Sequence, residues 1–153
     1  MSLFNLLSVS ASGMSAQRKR AEVLVENLAN AETTRTPEGG PYRRKDVVFE
    51  TAGTEGPFSN VFQMQLSGSS QMGGAQMQGV RVAEVLQDDR EPDKRYQPGH
   101  PDADKEGYVA YPRLNPAEEM VDLMNASRGY QSNVAAMAAA KDMIQKTLDI
   151  MRG

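Results

Sequence analysis

The sequence predicts an α+β protein in which long N- and C-terminal helices pair as an antiparallel coiled coil, joined by a small β-rich central domain. Three observations carry this. All eight prolines lie between Pro37 and Pro116, and ten of the thirteen glycines lie between Gly39 and Gly107. Both proline-free ends carry apolar residues at seven-residue spacing, the period of a helix that seeks a partner. The middle holds short runs rich in Val, Phe and Tyr between turn residues. The expected division is residues 1–36 for the first axial helix, 37–115 for the small β-rich and loop domain, and 116–153 for the last axial helix.

The first helix is expected from about Ser2 to Thr33. Leu7, Met14, Ala21 and Leu28 recur every seven residues, with Leu3, Leu24 and Ala31 on the adjoining row. Its length would be roughly 45 Å at the helical rise. Thr36-Pro37 stops it, because the residue before proline disfavours helical backbone. In the middle, Asp46–Phe49 and Val80–Val85 read as strands and Tyr108–Tyr111 as a last short strand. Phe58–Leu66 is a weaker strand candidate, and the Gly/Ser/Gln/Met stretch from Ser67 to Gly79 reads as a loop. Gln97-Pro98-Gly99-His100-Pro101 reads as a rigid turn. The last helix has a defined start: Asn115 can cap, Pro116 fits the first turn, and Glu118 follows three residues after the cap. Leu123, Tyr130, Met137, Ile144 and Met151 then repeat every seven residues, with Met120, Val134 and Leu148 beside them. This helix should reach Arg152, roughly 55 Å.

A narrow apolar stripe on a helix must be covered. The assembly seam expected from the spacing is Leu7, Met14, Ala21 and Leu28 on one helix and Leu123, Tyr130, Met137, Ile144 and Leu148 on the other. Pairing the two ends covers part of it. With only 6% aromatic residues and 39% hydrophobic residues in 153, the chain lacks the material for one large core, so neighbouring subunits are expected to cover the rest. The alternative on these residues is a self-contained hairpin, a soluble adaptor or an export chaperone.

The composition also narrows the chemistry. A net charge of -3 does not favour non-specific nucleic-acid binding. The absence of Cys excludes disulfides within the chain. No stretch approaches the ~20 apolar residues of a membrane span, and the first sixteen residues lack the basic region of a cleaved signal peptide. The single histidine, His100, lies between Gly99 and Pro101 and reads as a turn residue. Asp102-Ala103-Asp104 opens like a calcium loop, but Arg113 stands where the twelfth position needs a bidentate Glu. No catalytic residue, metal ligand or cofactor site is expected, and the chain is read as a non-enzyme.

Several segments carry a resemblance. Ser12-Gly13-Met14-Ser15-Ala16-Gln17-Arg18, followed by Glu26-Asn27-Leu28-Ala29-Asn30-Ala31, is similar to the N-terminal signature of bacterial flagellar axial proteins. Thr33-Thr34-Arg35-Thr36-Pro37-Glu38-Gly39-Gly40-Pro41-Tyr42-Arg43-Arg44-Lys45 and Gly99-His100-Pro101-Asp102-Ala103-Asp104, running on through Gly107-Tyr108-Val109-Ala110-Tyr111-Pro112, are more particular. With Glu118-Glu119-Met120-Val121-Asp122 and Asn125 to Gln131, they resemble the proximal rod proteins of the flagellar basal body. Asn27, Leu28, Asn30, Gly39, Gly40, Pro41, Tyr42, His100, Pro101 and Asp102 are the motif residues. Glu32, and Arg113-Leu114 after Tyr-Pro, depart from the usual pattern. The resemblance implies a structural subunit of the torque-transmitting rod that spans the periplasm, exported by the flagellar type III apparatus without signal cleavage. The partners it implies are copies of the chain, other rod proteins, the MS-ring adaptor and the export gate.

Overall fold

The computed structural model describes residues 3–52 and 78–152. The order is α1 (Leu3–Ala29), β1 (Lys45–Ala52), β2 (Gly79–Gln87), β3 (Asp93–Tyr96), β4 (Tyr108–Tyr111) and α2 (Pro116–Arg152). The class is the α+β arrangement read from the sequence, with two long terminal helices and two small antiparallel sheets. The Phe58–Leu66 strand candidate and residues 67–77 of the expected loop lie outside the described residues.

Helix α1 ends earlier than Thr33. The N–H of Asn30 bonds both the Glu26 and the Asn27 carbonyl, while its side-chain amide also takes the Glu26 carbonyl at 2.9 Å. From there Ala31 bonds Leu28 and Thr33 bonds Asn30, three residues back rather than four. The tightened turns leave the helical path before proline can act. Helix α2 begins as its cap demands. Asn115 Oδ1 accepts the N–H of Ala117 at 3.1 Å, and Asn115 Nδ2 donates to Glu118 Oε1 at 3.2 Å.

The two helices run antiparallel. Gly13 lies against Asn133, Gln17 against Gly129, Arg20 reaches Asp122 at 3.5 Å, and Asn27 reaches Glu119. Residue numbers rise on α1 as they fall on α2, so the register is fixed along the whole contact. The row on α2 at the centre of this contact is Glu119, Ala126, Asn133 and Ala140. Ala126 and Ala140 are fully buried, as are Ala16, Val23 and Leu24 on α1. Small side chains let the helices approach closely: a Cβ on Gly13 would lie 2.8 Å from Asn133 Oδ1.

The sheets are ribbons of two strands each. β1 and β2 pair antiparallel from Lys45↔Gln87 to Ala52↔Gly79, with a register shift after Val48 that leaves Ala83 as the extra residue on β2. An isolated two-stranded ribbon is marginal in water, and this one leans on α1, where Val47 is buried. Ser12 Oγ pins it, donating to the Val9 carbonyl at 2.7 Å and accepting the Val80 N–H at 3.0 Å. β3 has no counterpart in the sequence reading. All four of its residues, Asp93 to Tyr96, are exposed, so no apolar alternation marks it; pairing with β4 makes it a strand.

The close approach at Gly13 gives a direct test. Gly13→Leu should force the helices apart and cost about 1–3 kcal/mol, the usual penalty of overpacking. Thermal denaturation of the purified chain should show the loss, while a leucine at the exposed Glu22 leaves the midpoint within a degree or so.

Candidate functional site

Two features of the hairpin bear on function: a buried polar junction that closes one end, and the apolar surface that pairing leaves uncovered.

The junction is built around Asn27, fully buried near the end of α1. Its side-chain oxygen accepts from the Lys45 backbone N–H and from the Tyr42 hydroxyl, each at 2.9 Å. Its side-chain nitrogen donates to the Lys45 carbonyl at 2.8 Å and to Glu119 Oε2 at 3.0 Å. The carboxamide thus pairs with both backbone groups of Lys45 much as a strand residue would, and covers the edge of β1 where the strand begins. Glu119, 2% exposed in the first turns of α2, accepts from Arg44 Nε through its other oxygen at 2.5 Å. Lys45 Nζ pairs with Glu26 and lies over the Tyr42 ring. Helix α1, the loop after it, strand β1 and helix α2 therefore meet in one hydrogen-bonded cluster, and no buried side-chain polar atom among the described residues lacks a partner.

Burial works against the charge on Arg44, but the hydrogen bond and charge of Glu119, with Asp46 behind them, more than offset it. The guanidinium is held charged more firmly than in water. Burial, then the negative charges of Glu26 and Glu119, push the Tyr42 phenol up to about 12. A neutral phenol is what the cluster requires, since Tyr42 donates to Asn27.

The loop that delivers Tyr42 contains the other motif residues. Gly39 and Gly40 have φ of +90° and +79°, a backbone that side chains resist. They allow Thr36 N–H to reach the Gly40 carbonyl at 2.8 Å and the chain to turn back, so that Tyr42 N–H bonds the Thr33 carbonyl at 3.0 Å. Pro41 is half-buried beside it, and Asn30 braces the loop by accepting from Thr33 Oγ1 at 3.2 Å. The second motif joins the first here: Thr34 Oγ1 donates to Asp102 Oδ2 at 2.8 Å, and Arg35 lies 3.8 Å from its Oδ1. His100 sits in the turn, its Nδ1 accepting the Asp102 N–H at 3.1 Å and its ring edge on Tyr111; Pro101 is exposed next to it. Asp104 Oδ1 accepts the N–H groups of Glu106 and Tyr108, which closes the acidic turn on itself. No cluster of three metal-ligating side chains forms among the described residues.

The expected seam residues divide. Leu7, Met14, Ala21 and Leu28, with Leu123, Met137 and Ile144, are half-buried along the flanks of the helix contact. Tyr130 is 42% and Leu148 48% exposed. The centre of the contact belongs to the small residues described above, and Met120, Val121, Met124 and Val134 point away from α1 into solvent. Arg44, Lys45 and Glu119 complete the junction; apolar spacing does not mark them, but all three stand in the segments that carry the family resemblance, and Glu119 shares the seven-residue row of Ala126 and Ala140.

Comparison with known proteins gives the family of the chain. Residues 7–35 match the family described as flagella basal body rod protein, and residues 105–150 match that described as flagellar basal body rod FlgEFG protein C-terminal. The chain is similar over its length to flagellar basal-body rod protein FlgC of Bacillus subtilis, at 44% identity over 98% of this chain and 99% of the relative. FlgC of Borreliella burgdorferi is 38% identical over 100% of both chains, and FlgC of Salmonella typhimurium 37% over 98% of both.

Two results should follow from the junction. Asn27→Leu leaves the Lys45 backbone groups, the Tyr42 hydroxyl and the Glu119 carboxylate short of partners, and should cost about 3–5 kcal/mol by denaturant titration. Tyr42 gives a pH dependence. Its unfolded value is 10.0 and its folded value about 12, so the folded state binds more protons between them. Its contribution is complete below pH 10 and is lost as pH rises through about 12. Tyrosinate absorbance should show a late step near pH 12 that disappears in Tyr42→Phe.

Proposed function

The chain belongs to the FlgC family of flagellar basal-body rod proteins, and we propose on that premise that its terminal helices build the proximal rod by packing against helices of neighbouring subunits. It is a structural subunit of the flagellar basal-body rod, a role in bacterial motility. The observation that carries the mechanism is the division of apolar surface on α2: small side chains face α1, while Met120, Val121, Met124, Tyr130, Val134 and Leu148 remain exposed. One hairpin leaves these side chains about half exposed, and completing their burial is worth roughly 1 kcal/mol each, about half the value for a fully exposed side chain. Contacts between subunits recover that free energy.

The half-buried rows, Leu7, Met14, Ala21 and Leu28 with Leu123, Met137 and Ile144, form the flanks that a neighbouring helix extends. The neighbours are copies of the chain and other rod proteins, with the MS-ring adaptor and export gate at the base. The subunit is not an enzyme and needs no cofactor. It reaches the periplasmic part of the rod through the flagellar type III apparatus, with no signal peptide removed. No helix among the described residues is long and apolar enough to cross a membrane, in keeping with a rod that passes through as an assembly. The central domain sets the spacing of the two helices and contributes to the outer surface of the rod.

Deleting the gene should leave growth unchanged and abolish swimming, with electron microscopy showing basal bodies that stop before the hook. Cells that lack the gene and still assemble hooks would overturn the assignment.

A further inference from the structure

Four arginines meet around one small cavity beside the junction. Arg43 and Arg44 follow the Gly39-Gly40 turn, Arg90 lies in the connection from β2 to β3, and Arg113 follows β4. The cavity has a volume of about 100 Å³, and Asp88 is its one acidic lining residue. The backbone fixes the meeting: the Asp88 N–H bonds the Arg44 carbonyl at 2.8 Å, which ties the chain after β2 to the start of β1. The open groove next to it, about 420 Å³, shares Arg44, Arg90 and Arg113 but sets Asp93, Glu118 and Glu119 against them. Charge is therefore balanced in the groove and positive in the cavity.

The cavity also has donors to spare. A guanidinium donates from all three of its nitrogens and accepts from none. Arg44 gives Nε to Glu119 and Nη1 to Asp46, and stays with the junction. Arg90 gives Nε and Nη2 to Asp88 as a fork, which leaves Nη1. Those hydrogen bonds, with the charges of Arg90 and Arg113 behind them, push the Asp88 carboxyl down to about 2. Arg43 gives only Nη1, at 2.9 Å to Asp89. That pair is exposed on both sides, at 53% and 91%, and such pairs hold weakly. Arg113 is exposed and makes no hydrogen bond or ion pair among the described residues. Gly39 and Gly40 keep the wall open, since no atom stands within 4 Å of where a side chain would begin on either. Guanidinium groups gathered in this way repel one another, and their strongest hydrogen bonds go to carboxylate and phosphate oxygens.

We propose that this cavity is an oxyanion site that takes one carboxylate or phosphate group, recruited by Arg113 and held at the rim by Arg43 and Arg90. Asp88 already shows how such a group sits on Arg90. The volume admits a single group, and the acids of the neighbouring groove turn an anion away from that side. The site is independent of the rod assignment, because it is complete within one chain. It gives the central domain a binding role that the terminal helices do not share.

Inorganic phosphate is the probe. Titrated into the purified, isotope-labelled full chain at constant ionic strength, it should give saturable NMR shifts at the Gly40, Arg43 and Arg90 amides. Arg113→Gln should weaken binding about ten-fold, the loss expected for one charge-assisted hydrogen bond. It should leave the melting temperature unchanged, because the side chain holds nothing in its own chain. Arg113→Lys keeps the charge and should recover part of the affinity. Arg128→Gln, at an exposed position of α2 outside the cavity, should change nothing. Shifts that rise without saturating, or binding that weakens as much in Arg128→Gln as in Arg113→Gln, overturn the proposal. The group can come from a free ion or from an acidic side chain of a neighbouring protein. Carbodiimide coupling of basal bodies carrying Arg113→Lys separates the two. An amide-linked adduct that the unsubstituted chain does not give identifies a protein carboxylate, and phosphate binding without an adduct identifies a free ion; either keeps the site.

Discussion

One carboxamide holds the closed end of this molecule together. Asn27 uses both sides of its amide, two acceptor and two donor contacts, on three different segments of the chain. A shorter or apolar side chain there cannot span the gap between α1, the start of β1 and the first turns of α2. Glu119 is tolerable in that interior only because Asn27 and Arg44 occupy its oxygens, since an unpaired buried carboxylate costs several kcal/mol. The dependence runs both ways. Arg44 and Lys45 are positioned because β1 starts where Asn27 meets it, and Tyr42 reaches Asn27 because Gly39 and Gly40 turn the loop. Register in a helix pair with so many small contacts is weakly specified by apolar packing alone. A buried polar group with a unique set of partners specifies it.

The rest of the pairing follows from that anchor. With Asn27 opposite Glu119, Gln17 falls beside Gly129 and Gly13 beside Asn133, each a large polar side chain against a glycine. The helices approach closely, and the bulky residues of α2 are turned to the flanks and the outside. The same geometry that closes the hairpin thereby creates its unmatched apolar surface. On the proposed assembly, folding of one chain and joining of several are two uses of one helix, on different faces.

Much of this was readable in advance, and the limits have physical causes. Proline and glycine placement marks the three zones because those residues act locally. The start of α2 is legible because Asn115, Pro116 and Glu118 act within one turn. Seven-residue spacing finds the helices, but it weights large side chains, whereas the closest contact is made by Ala126, Ala140 and Gly13, which carry little hydrophobic signal. The end of α1 is missed because Asn30 diverts its own backbone before Pro37 is reached. Strand β3 is missed because Asp93, Lys94 and Arg95 pair through backbone groups common to every residue. The junction's members are visible but its contacts are not: Asn27, Tyr42, Arg44, Lys45 and Glu119 all stand in the resembling segments, yet Glu119 lies 92 residues away from Asn27, and no local rule links them.

The molecule is clamped most firmly at one end. The junction binds both helices to the central domain there, Ser12 holds β2 to α1 farther along, and beyond it the two helices are joined by side-chain packing until α2 runs on past the register of Leu3. In mechanical terms this is a cantilever whose section thins toward its tip. Bending stiffness falls sharply where two helices become one, so a lateral load is taken up first in the last turns of α2, and a twisting load is resisted at the clamp. A shaft built from such elements would be stiff where each subunit's domain sits and compliant at the joints between subunits, which lets it turn without being perfectly straight.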